Sequence, residues 1–592
     1  MSSTHHLTSI VNFIWTVADD VLVHAYKKGK YPDVILPMTV IRRLDLVLEP
    51  TQERVRATYE EYKDRLDNLQ PLLTSAQFGS GVAFYNISRF TLKTLLADPK
   101  NLRANFENYL NGFSDNVQDI IAKFKFRNEV QYLDDAGILF STLEKFVSPR
   151  VDLHPDRVSN HDMGYVYEDL IRRFSEENNE EAGEHFTPRE IVRLMTHLLF
   201  RPVADRIRQG SYLIYDPCCG SGGMLTEAKR YLQDPDGLNS KALVGLYGQE
   251  IQPETYAVCK SDFLMKGENA DHIAYGSTLT ADGFSDLKFD FMLTNPPYGK
   301  SWKDDQKRLG VGPKGAIVDA RFQVGQSRVN DGQLMFLLHL VSKMKTTPLG
   351  SRIASVHNGS ALFTGDAGGG ESEIRRHVLE NDYLEAIIAL PKDIFYNTGI
   401  ATYIWVLTNR KEPRRQGKVQ LINATELYDK MRKSLGSKRN YLTDAHLAEI
   451  ERLYLTFAET DISRIFDNAD FGYAQVTVHR PRRDASGQPV PLKKAKRVAP
   501  LFGEVKFESD PDLRDTENIP LKQDVDAFLA REVLPYAPDA WYDPAETRIG
   551  YEINFNKYFY RYQPPRPLSA IAADLLALER ESEHLLKDIL AP

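Results

Sequence analysis

The stretch Phe289-Asp-Phe-Met-Leu-Thr-Asn-Pro-Pro-Tyr298 carries the clearest chemical signal in the chain. An apolar run leads into Asn295-Pro296-Pro297-Tyr298. Consecutive prolines fix the backbone and remove two N–H donors, which leaves carbonyl oxygens in a set geometry. The exocyclic N6 amine of adenine is a poor nucleophile, because its lone pair is delocalised into the ring. Two acceptors placed against its N–H bonds draw the nitrogen toward a tetrahedral, nucleophilic form. Asn295 Oδ1 and the Pro296 carbonyl are suited to be that pair, and Tyr298 offers a flat face for stacking a base. Such a transfer depends on positioning and preorganised acceptors rather than on a tuned general base. A base in a duplex reaches such a site only by flipping out, at a cost of a few kcal/mol.

The second constellation is Asp216-Pro-Cys-Cys-Gly-Ser-Gly-Gly223, placed between an apolar run and a helical pattern starting near Met224. A glycine-rich turn lets a ligand approach the backbone closely, and the following helix offers unpaired N–H groups. No Lys-Ser/Thr follows the glycines and the spacing is not Gly-x-Gly-x-x-Gly, so neither a P-loop nor a dinucleotide fingerprint is present. The acidic residue at the head of the turn suits a cationic ligand. S-adenosylmethionine, with its ammonium and sulfonium, is such a ligand, and Asp216 would face that side. The next apolar run ends in Gly248-Gln-Glu250, where a carboxylate can accept both hydroxyls of a ribose. Upstream, Gly183-Glu-His-Phe-Thr-Pro-Arg-Glu190 reads as a helix start, with Thr187 as N-cap, Pro188 first and Glu190 third. The same exposed helix end suits a carboxylate of the ligand, and both readings stand.

These residues need a scaffold. Residues 1–155 read as a helical domain, with Ile10, Phe13, Ile14, Val17, Val21 and Leu22 at helical spacing. Over residues 156–425 short apolar runs at 212–215, 243–247, 289–293, 353–356, 384–389 and 404–407 alternate with helical stretches. That alternation predicts an α/β fold with a mostly parallel, Rossmann-like sheet covered on both faces. Ligands on such sheets bind beyond the carboxyl ends of the strands, where both constellations fall. Residues 426–565 are mixed. Basic stretches at 410–418 and 480–497 are either solvated loops or phosphate contacts. Over residues 566–592, Leu568, Ile571, Leu575, Leu578, Ser582, Leu585 and Ile589 form a heptad seam, to be packed on the chain itself or on a partner.

The 592 residues are 42% hydrophobic and 26% charged, enough for several cores. Three cysteines make no disulfide framework. Neither zinc-like spacing nor a membrane-length apolar run appears, so no metal and a cytoplasmic location are expected. A net charge of -8 is low for a protein that grips DNA unaided. The basic surface is therefore local, or a partner does much of the holding.

Taken together, these motifs resemble the modification (methyltransferase) subunits of type I restriction–modification systems, which are N6-adenine DNA methyltransferases. The resemblance extends to Asn330-Asp-Gly-Gln-Leu-Met-Phe336, to Asn358-Gly-Ser-Ala-Leu-Phe363, and to Leu390-Pro391 through Phe395-Tyr-Asn-Thr-Gly399. It implies an S-adenosylmethionine-dependent methyltransferase core with an N-terminal helical domain and a C-terminal helical tail. It implies Asn295, Pro296 and Tyr298 as catalytic residues. The cofactor would be held by His185, Phe186, Thr187, Pro188, Asp216, Cys218, Gly220, Ser221, Gly222, Gly223, Glu250, Ser277, Thr278 and Asn295. Partners implied are double-stranded DNA, one specificity subunit per two modification subunits, and a restriction translocase–nuclease subunit. The chain departs from the family at Gly276-Ser277-Thr278-Leu279, where an Asp that contacts the cofactor's adenine often stands at Ser277, and at Cys218, where Ala is frequent. An RNA or protein-glutamine methyltransferase and an idle cofactor-binding scaffold are the alternative functions.

Overall fold

The computed structural model describes the chain apart from residues 1, 160–161, 165, 168, 171–172, 175–186, 311–316, 397, 498–502, 561–566 and 591–592. Its centre is a nine-stranded sheet. The strands are β1 (Ser211–Asp216), β2 (Leu243–Glu250), β3 (Ile273–Tyr275), β4 (Phe291–Thr294), β5 (Arg352–Asn358), β6 (Leu384–Ala389), β7 (Thr402–Thr408) and β8 (Lys418–Asn423). After a hairpin of β9 (Asp429–Leu435) and β10 (Lys438–Tyr441), β11 (Ser463–Asp467) completes the sheet. The order is β11-β8-β6-β7-β5-β4-β1-β2-β3. All six runs expected to be strands are strands; β3, β8 and β11 are additional.

Neighbours from β3 through β2, β1 and β4 to β5 are parallel, while β7 runs antiparallel between β5 and β6. Strands buried on both faces read as continuous apolar runs, as in β6, where every residue is buried. The chain winds outward from β1 through β2 to β3, then returns to the other side of β1 with β4. That reversal opens a crevice beyond the carboxyl ends of β1 and β4, and the strand ends there are Asp216 and Thr294-Asn295.

The N-terminal residues form helices, chief among them Ser2–Asp20, Pro32–Leu48, Leu102–Asn111, Asp115–Lys123, Phe126–Asp135 and Leu139–Val147. Their apolar faces join one face of the sheet in a continuous core, from Ile10 and Leu44 to Phe263, Leu293 and Ile388. The Asp115–Lys123 helix is pinned to the Pro253–Lys266 helix by Asp119, which accepts from Tyr256 Oη and Lys260 Nζ, each at 2.9 Å. A smaller sheet at 472–551, with β12 (Gly472–His479) at its centre, has its own core around Val476, Ile519 and Leu529. Residues 554–592 form a separate unit. It contains the helix Leu568–Leu590, on which Leu568, Ile571, Leu575 and Leu578 are exposed. The side chains of Ser582, Leu585 and Ile589 lie outside the described residues.

The two basic stretches are largely neutralised by the chain's own acids. Lys411 pairs with Asp382 at 2.6 Å, Arg414 with Glu412 at 2.7 Å, and Lys418 with Asp467 at 2.8 Å. Arg480 and Arg483 share Asp539 at 3.0 Å, and Arg482 pairs with Glu508. Lys411 and Arg415 are buried, whereas Lys493 and Lys494, on the strand Pro491–Arg497, are exposed and form no ion pair with a described residue.

Arg352 at the start of β5 and Glu385 at the start of β6 form a buried pair that fixes the far end of the sheet, joined by Tyr454 and Arg415. Burial alone would raise the Glu385 carboxyl, but the charges of Arg352 and Arg415 outweigh it and hold it well below its ordinary value. Removing one member of such a pair leaves an uncompensated buried charge. Glu385→Gln is therefore expected to destabilise the protein by about 3–5 kcal/mol, read as a lower midpoint in urea unfolding.

Candidate active site

Asp216, the last residue of β1, is buried. Its Oδ1 accepts from the backbone N–H of Cys218 at 2.9 Å and from Thr294 Oγ1, at the end of β4, at 2.7 Å. Its Oδ2 has no hydrogen-bond partner among the described residues, and the side chain lines the cavity. Burial pushes the carboxyl up to about 7, against the downward pull of the Thr294 hydroxyl and the Cys218 N–H. A carboxylate in that environment is stabilised by a cation brought to its open oxygen.

The glycine turn is fixed to β2. Cys219 N donates to the Gln249 carbonyl at 3.0 Å, and Gly220 N donates to Glu250 Oε2 at 3.0 Å. Gln252 N donates to Glu250 Oε1 at 2.7 Å. These two bonds orient the Glu250 carboxylate on the cavity wall. Gly220 and Gly222 have φ of 54° and 83°. Gly220, Ser221 and Gly223 line the cavity. Gly222 is not on its wall: a Cβ there would sit 2.9 Å from Cys259 Sγ and 3.1 Å from Phe263. Its lack of a side chain serves packing of the turn on the Pro253–Lys266 helix. Cys218 lines the cavity, and burial pushes its thiol well above the ordinary range, so it is an inert wall residue.

At the end of β3, Thr278 Oγ1 donates to the Pro217 carbonyl at 2.6 Å, which ties this loop to the glycine turn. Ser277 Oγ donates to Asp305 Oδ1 at 2.7 Å, and both residues line the cavity. Arg321 holds the loop from behind through the carbonyls of Thr278 and Leu279, at 2.9 and 2.7 Å.

On the other side of the crevice, Asn295 Nδ2 donates to Thr187 Oγ1 at 3.1 Å. This bond turns Asn295 Oδ1 the other way, where it is buried without a partner. The Pro296 carbonyl accepts no hydrogen bond from the described residues. The following turn is held by Asp331, whose Oδ1 accepts from Gly299 N at 3.1 Å. Asp331 Oδ2 accepts from Gln333 Nε2 at 2.9 Å and Ser360 Oγ at 2.8 Å, which joins the Asn-Pro-Pro-Tyr turn to the end of β5. Thr294, Asp331, Gln333 and Arg321 were not singled out from sequence. Thr294 carried a signal as a member of the stretch 289–298, and Asp331 and Gln333 as members of the stretch 330–336; Arg321 carried none.

These residues surround one cavity of about 2330 Å³. A single small ligand fills roughly 300–1,000 Å³, so the cavity has room for two reactants. Its wall includes Thr187, Asp216, Glu250, Ser277, Thr278 and Asn295. Pro188, Pro296 and Tyr298 are not among the lining residues. The Tyr298 ring packs against the hydrophobic core, whereas Phe336 and Tyr396 present rings to the cavity. Thr187 is not a helix cap. The helix spans Arg189–Phe200 with Pro188 at the N-cap and no side-chain cap bond, which leaves the threonine hydroxyl for Asn295. His185 and Phe186 lie outside the described residues. No cluster of metal-ligating side chains occurs among the described residues, and no helix there is long and apolar enough to cross a membrane.

A switch-point sheet with a glycine turn on one strand end and Asn-Pro-Pro-Tyr on the next has the architecture of a Rossmann-like, S-adenosylmethionine-dependent methyltransferase. The chain belongs to the N-6 DNA methylase family, whose model matches residues 158–476, more than half of the 592. An HsdM N-terminal domain model matches residues 10–146. Among curated proteins, the methylase subunit of the type I restriction enzyme MjaIX from Methanocaldococcus jannaschii is 31% identical over 293 residues, covering 48% of this chain and 47% of that protein. The EcoKI methylase subunit of Escherichia coli is 30% identical over 315 residues, covering 50% and 54%. The matches thus span about half the length of these relatives. The methyltransferase subunit of a type I restriction-modification system from Streptococcus thermophilus shares the fold, with a TM-score of 0.58 at 21% identity over 78% of this chain and 97% of that one.

The glycine turn yields a direct test. Gly222→Ala adds a Cβ at positive φ against Cys259 and Phe263. We expect a loss of about 1–3 kcal/mol, measured as a lowered thermal midpoint.

Proposed function

We propose that the chain is the modification subunit of a type I restriction–modification complex and methylates N6 of a flipped-out adenine in double-stranded DNA, with S-adenosylmethionine as methyl donor. The observation that carries this reading is the buried, unpartnered Asn295 Oδ1 on the same cavity wall as the open oxygen of Asp216. The two sit on adjacent strand ends, linked through Thr294.

The residues present fit the cofactor. Asp216 Oδ2 offers a buried acceptor to its ammonium, and Glu250 stands on the cavity wall at the end of β2, where a carboxylate suits the ribose hydroxyls. The N-terminus of the Arg189–Phe200 helix, on the same cavity, suits its carboxylate. Ser277 and Asp305 together offer a hydroxyl and a carboxylate to the adenine amine, so Asp305 supplies the carboxylate that the serine lacks. When bound, the cofactor supplies an electrophilic methyl group.

Asn295 Oδ1 and the Pro296 carbonyl would each accept one N–H of the target amine and hold the nitrogen in a pyramidal form. Thr187 keeps the Asn295 amide in the orientation this requires. Asp331 fixes the turn that follows, so the two acceptors need no reorganisation as charge develops. Phe336 and Tyr396 are the rings best placed to stack the base, in place of Tyr298.

Targeting is delegated in this reading. The net charge of -8 and the internal pairing of the basic stretches favour a separate specificity subunit, shared by two modification subunits, with a translocase–nuclease subunit joining for cleavage. The exposed apolar seam of the Leu568–Leu590 helix suits a helical contact with such a partner.

The test is incorporation of labelled methyl groups from S-adenosylmethionine into DNA, with digestion to nucleosides, by the full chain with its specificity partner. N6-methyladenine is the expected product. Asn295→Ala should lower its rate by on the order of a hundred- to a thousand-fold with cofactor binding retained. Label in RNA or protein only, or unchanged turnover in the variant, would refute the reading.

A further inference from the structure

The β9–β10 hairpin, residues 429–441, carries five Lys or Arg against one Asp. Lys430, Arg432 and Lys433 on β9 and Arg439 on β10 are exposed, as is the neighbouring Lys392. None of the five side chains forms an ion pair with a described residue, unlike most cations of the stretches 410–418 and 480–497. The hairpin is a ridge of unneutralised positive charge on an acidic protein.

The hairpin is also held rigidly beside the active site. Ser437 N donates to the Tyr396 carbonyl at 2.8 Å, and Arg439 N and Asn440 N donate to the Asp393 carbonyl at 2.8 and 3.1 Å. Asn440 Nδ2 reaches the Lys392 carbonyl at 2.9 Å. Buried Lys438 donates to the Ile394 carbonyl at 2.9 Å and pairs with Glu190, next to the loop that positions Asn295. The turn, Ser434 to Ser437, forms part of the wall of the cavity that contains Asn295 and Tyr396.

A base that enters this cavity leaves its own strand and the flanking phosphates at the rim. From this placement we infer that the β9–β10 hairpin is a phosphate clamp, which grips the DNA backbone beside the flipped adenine without reading sequence. From Lys430 to Lys433 the strand advances about 10 Å, or about three base-pair steps at 3.4 Å each, so the β9 cations can follow one strand. The inference rests on the proposed DNA methylation and names the surface that this chain contributes to it.

The test uses the full chain in complex with its specificity partner. Duplex affinity is read by fluorescence anisotropy over a series of salt concentrations, for wild type and for the triple variant Lys430→Gln, Arg432→Gln, Lys433→Gln. All three positions are exposed, and a thermal melt verifies that the variant folds. We expect affinity to fall on the order of ten-fold, equally for target and random duplexes, with the salt slope shallower by about 0.9 for each contact removed. S-adenosylmethionine binding and turnover at saturating DNA should be unchanged. Arg414→Gln with Arg482→Gln, which removes paired cations, should leave the slope as in wild type. An unchanged affinity and slope in the triple variant would overturn the clamp, as would a loss confined to the target duplex. Absence of N6-methyladenine from the wild-type reaction would instead refute the proposed function, and the salt slope would still report on the hairpin.

Discussion

The active site depends on one buried carboxylate. Asp216 closes β1, and its Oδ1 joins the glycine turn, through Cys218 N, to β4, through Thr294 Oγ1. The sheet changes winding direction between those two strands, so the bonds join the two strand ends where the crevice opens. One carboxylate thereby orders the turn, places Asn295 one residue beyond Thr294, and leaves a second oxygen on the cavity wall. Burial, with a smaller contribution from the Glu250 charge, raises its proton affinity to about 7 against the hydrogen bonds from Thr294 and Cys218. The same isolation makes it a selective partner for a positively charged ligand.

Around this centre the structure separates tasks. The glycine turn, Glu250 and the loop after β3 form one half of the cavity, braced from behind by Arg321. Thr187, Asn295 and the Asp331–Gln333–Ser360 network form the other. The second half is built for rigidity: the side chains around the acceptor turn are bonded to one another, and Asn295 Oδ1 is left without a partner. A preorganised acceptor is effective because it needs no rearrangement during reaction. Most described lysines and arginines of the basic stretches are paired to acids of the chain, whereas the β9–β10 hairpin beside the cavity carries four exposed cations without such a partner.

Sequence alone reveals what rests on local pattern. Apolar runs bounded by Gly, Pro and Asn mark six of the nine sheet strands, and the two strand-end motifs fall where a parallel sheet binds ligands. Short β3, at three residues, and edge strands β8 and β11 carry too little pattern to stand out. The antiparallel direction of β7 cannot be read from composition. Side-chain roles that depend on distant partners are equally hidden. Thr187 matches a helix-cap pattern yet spends its hydroxyl on Asn295, more than a hundred residues away. Gly222 lies in a ligand-binding motif yet is needed for packing against Cys259. The acidic partners of Arg480, Arg482 and Arg483, at Asp539 and Glu508, are too distant in sequence to be read from the basic stretch itself. The exposed cations of the hairpin are fewer and less conspicuous in the sequence.

In the proposed methyl transfer, the open oxygen of Asp216 is the group that receives the cation of the cofactor. Calorimetric titration of S-adenosylmethionine, repeated in buffers of different ionisation enthalpy, counts the protons released on binding. In the free protein Asp216 is protonated below about pH 7, and a cation at its open oxygen lowers that value. Binding should therefore release close to a full proton near pH 6 and almost none near pH 8. Affinity should weaken as pH falls, and Asp216→Asn should release none and bind more weakly. Tight binding near pH 6 without proton release, or an Asp216→Asn variant that binds as wild type does, would contradict the account.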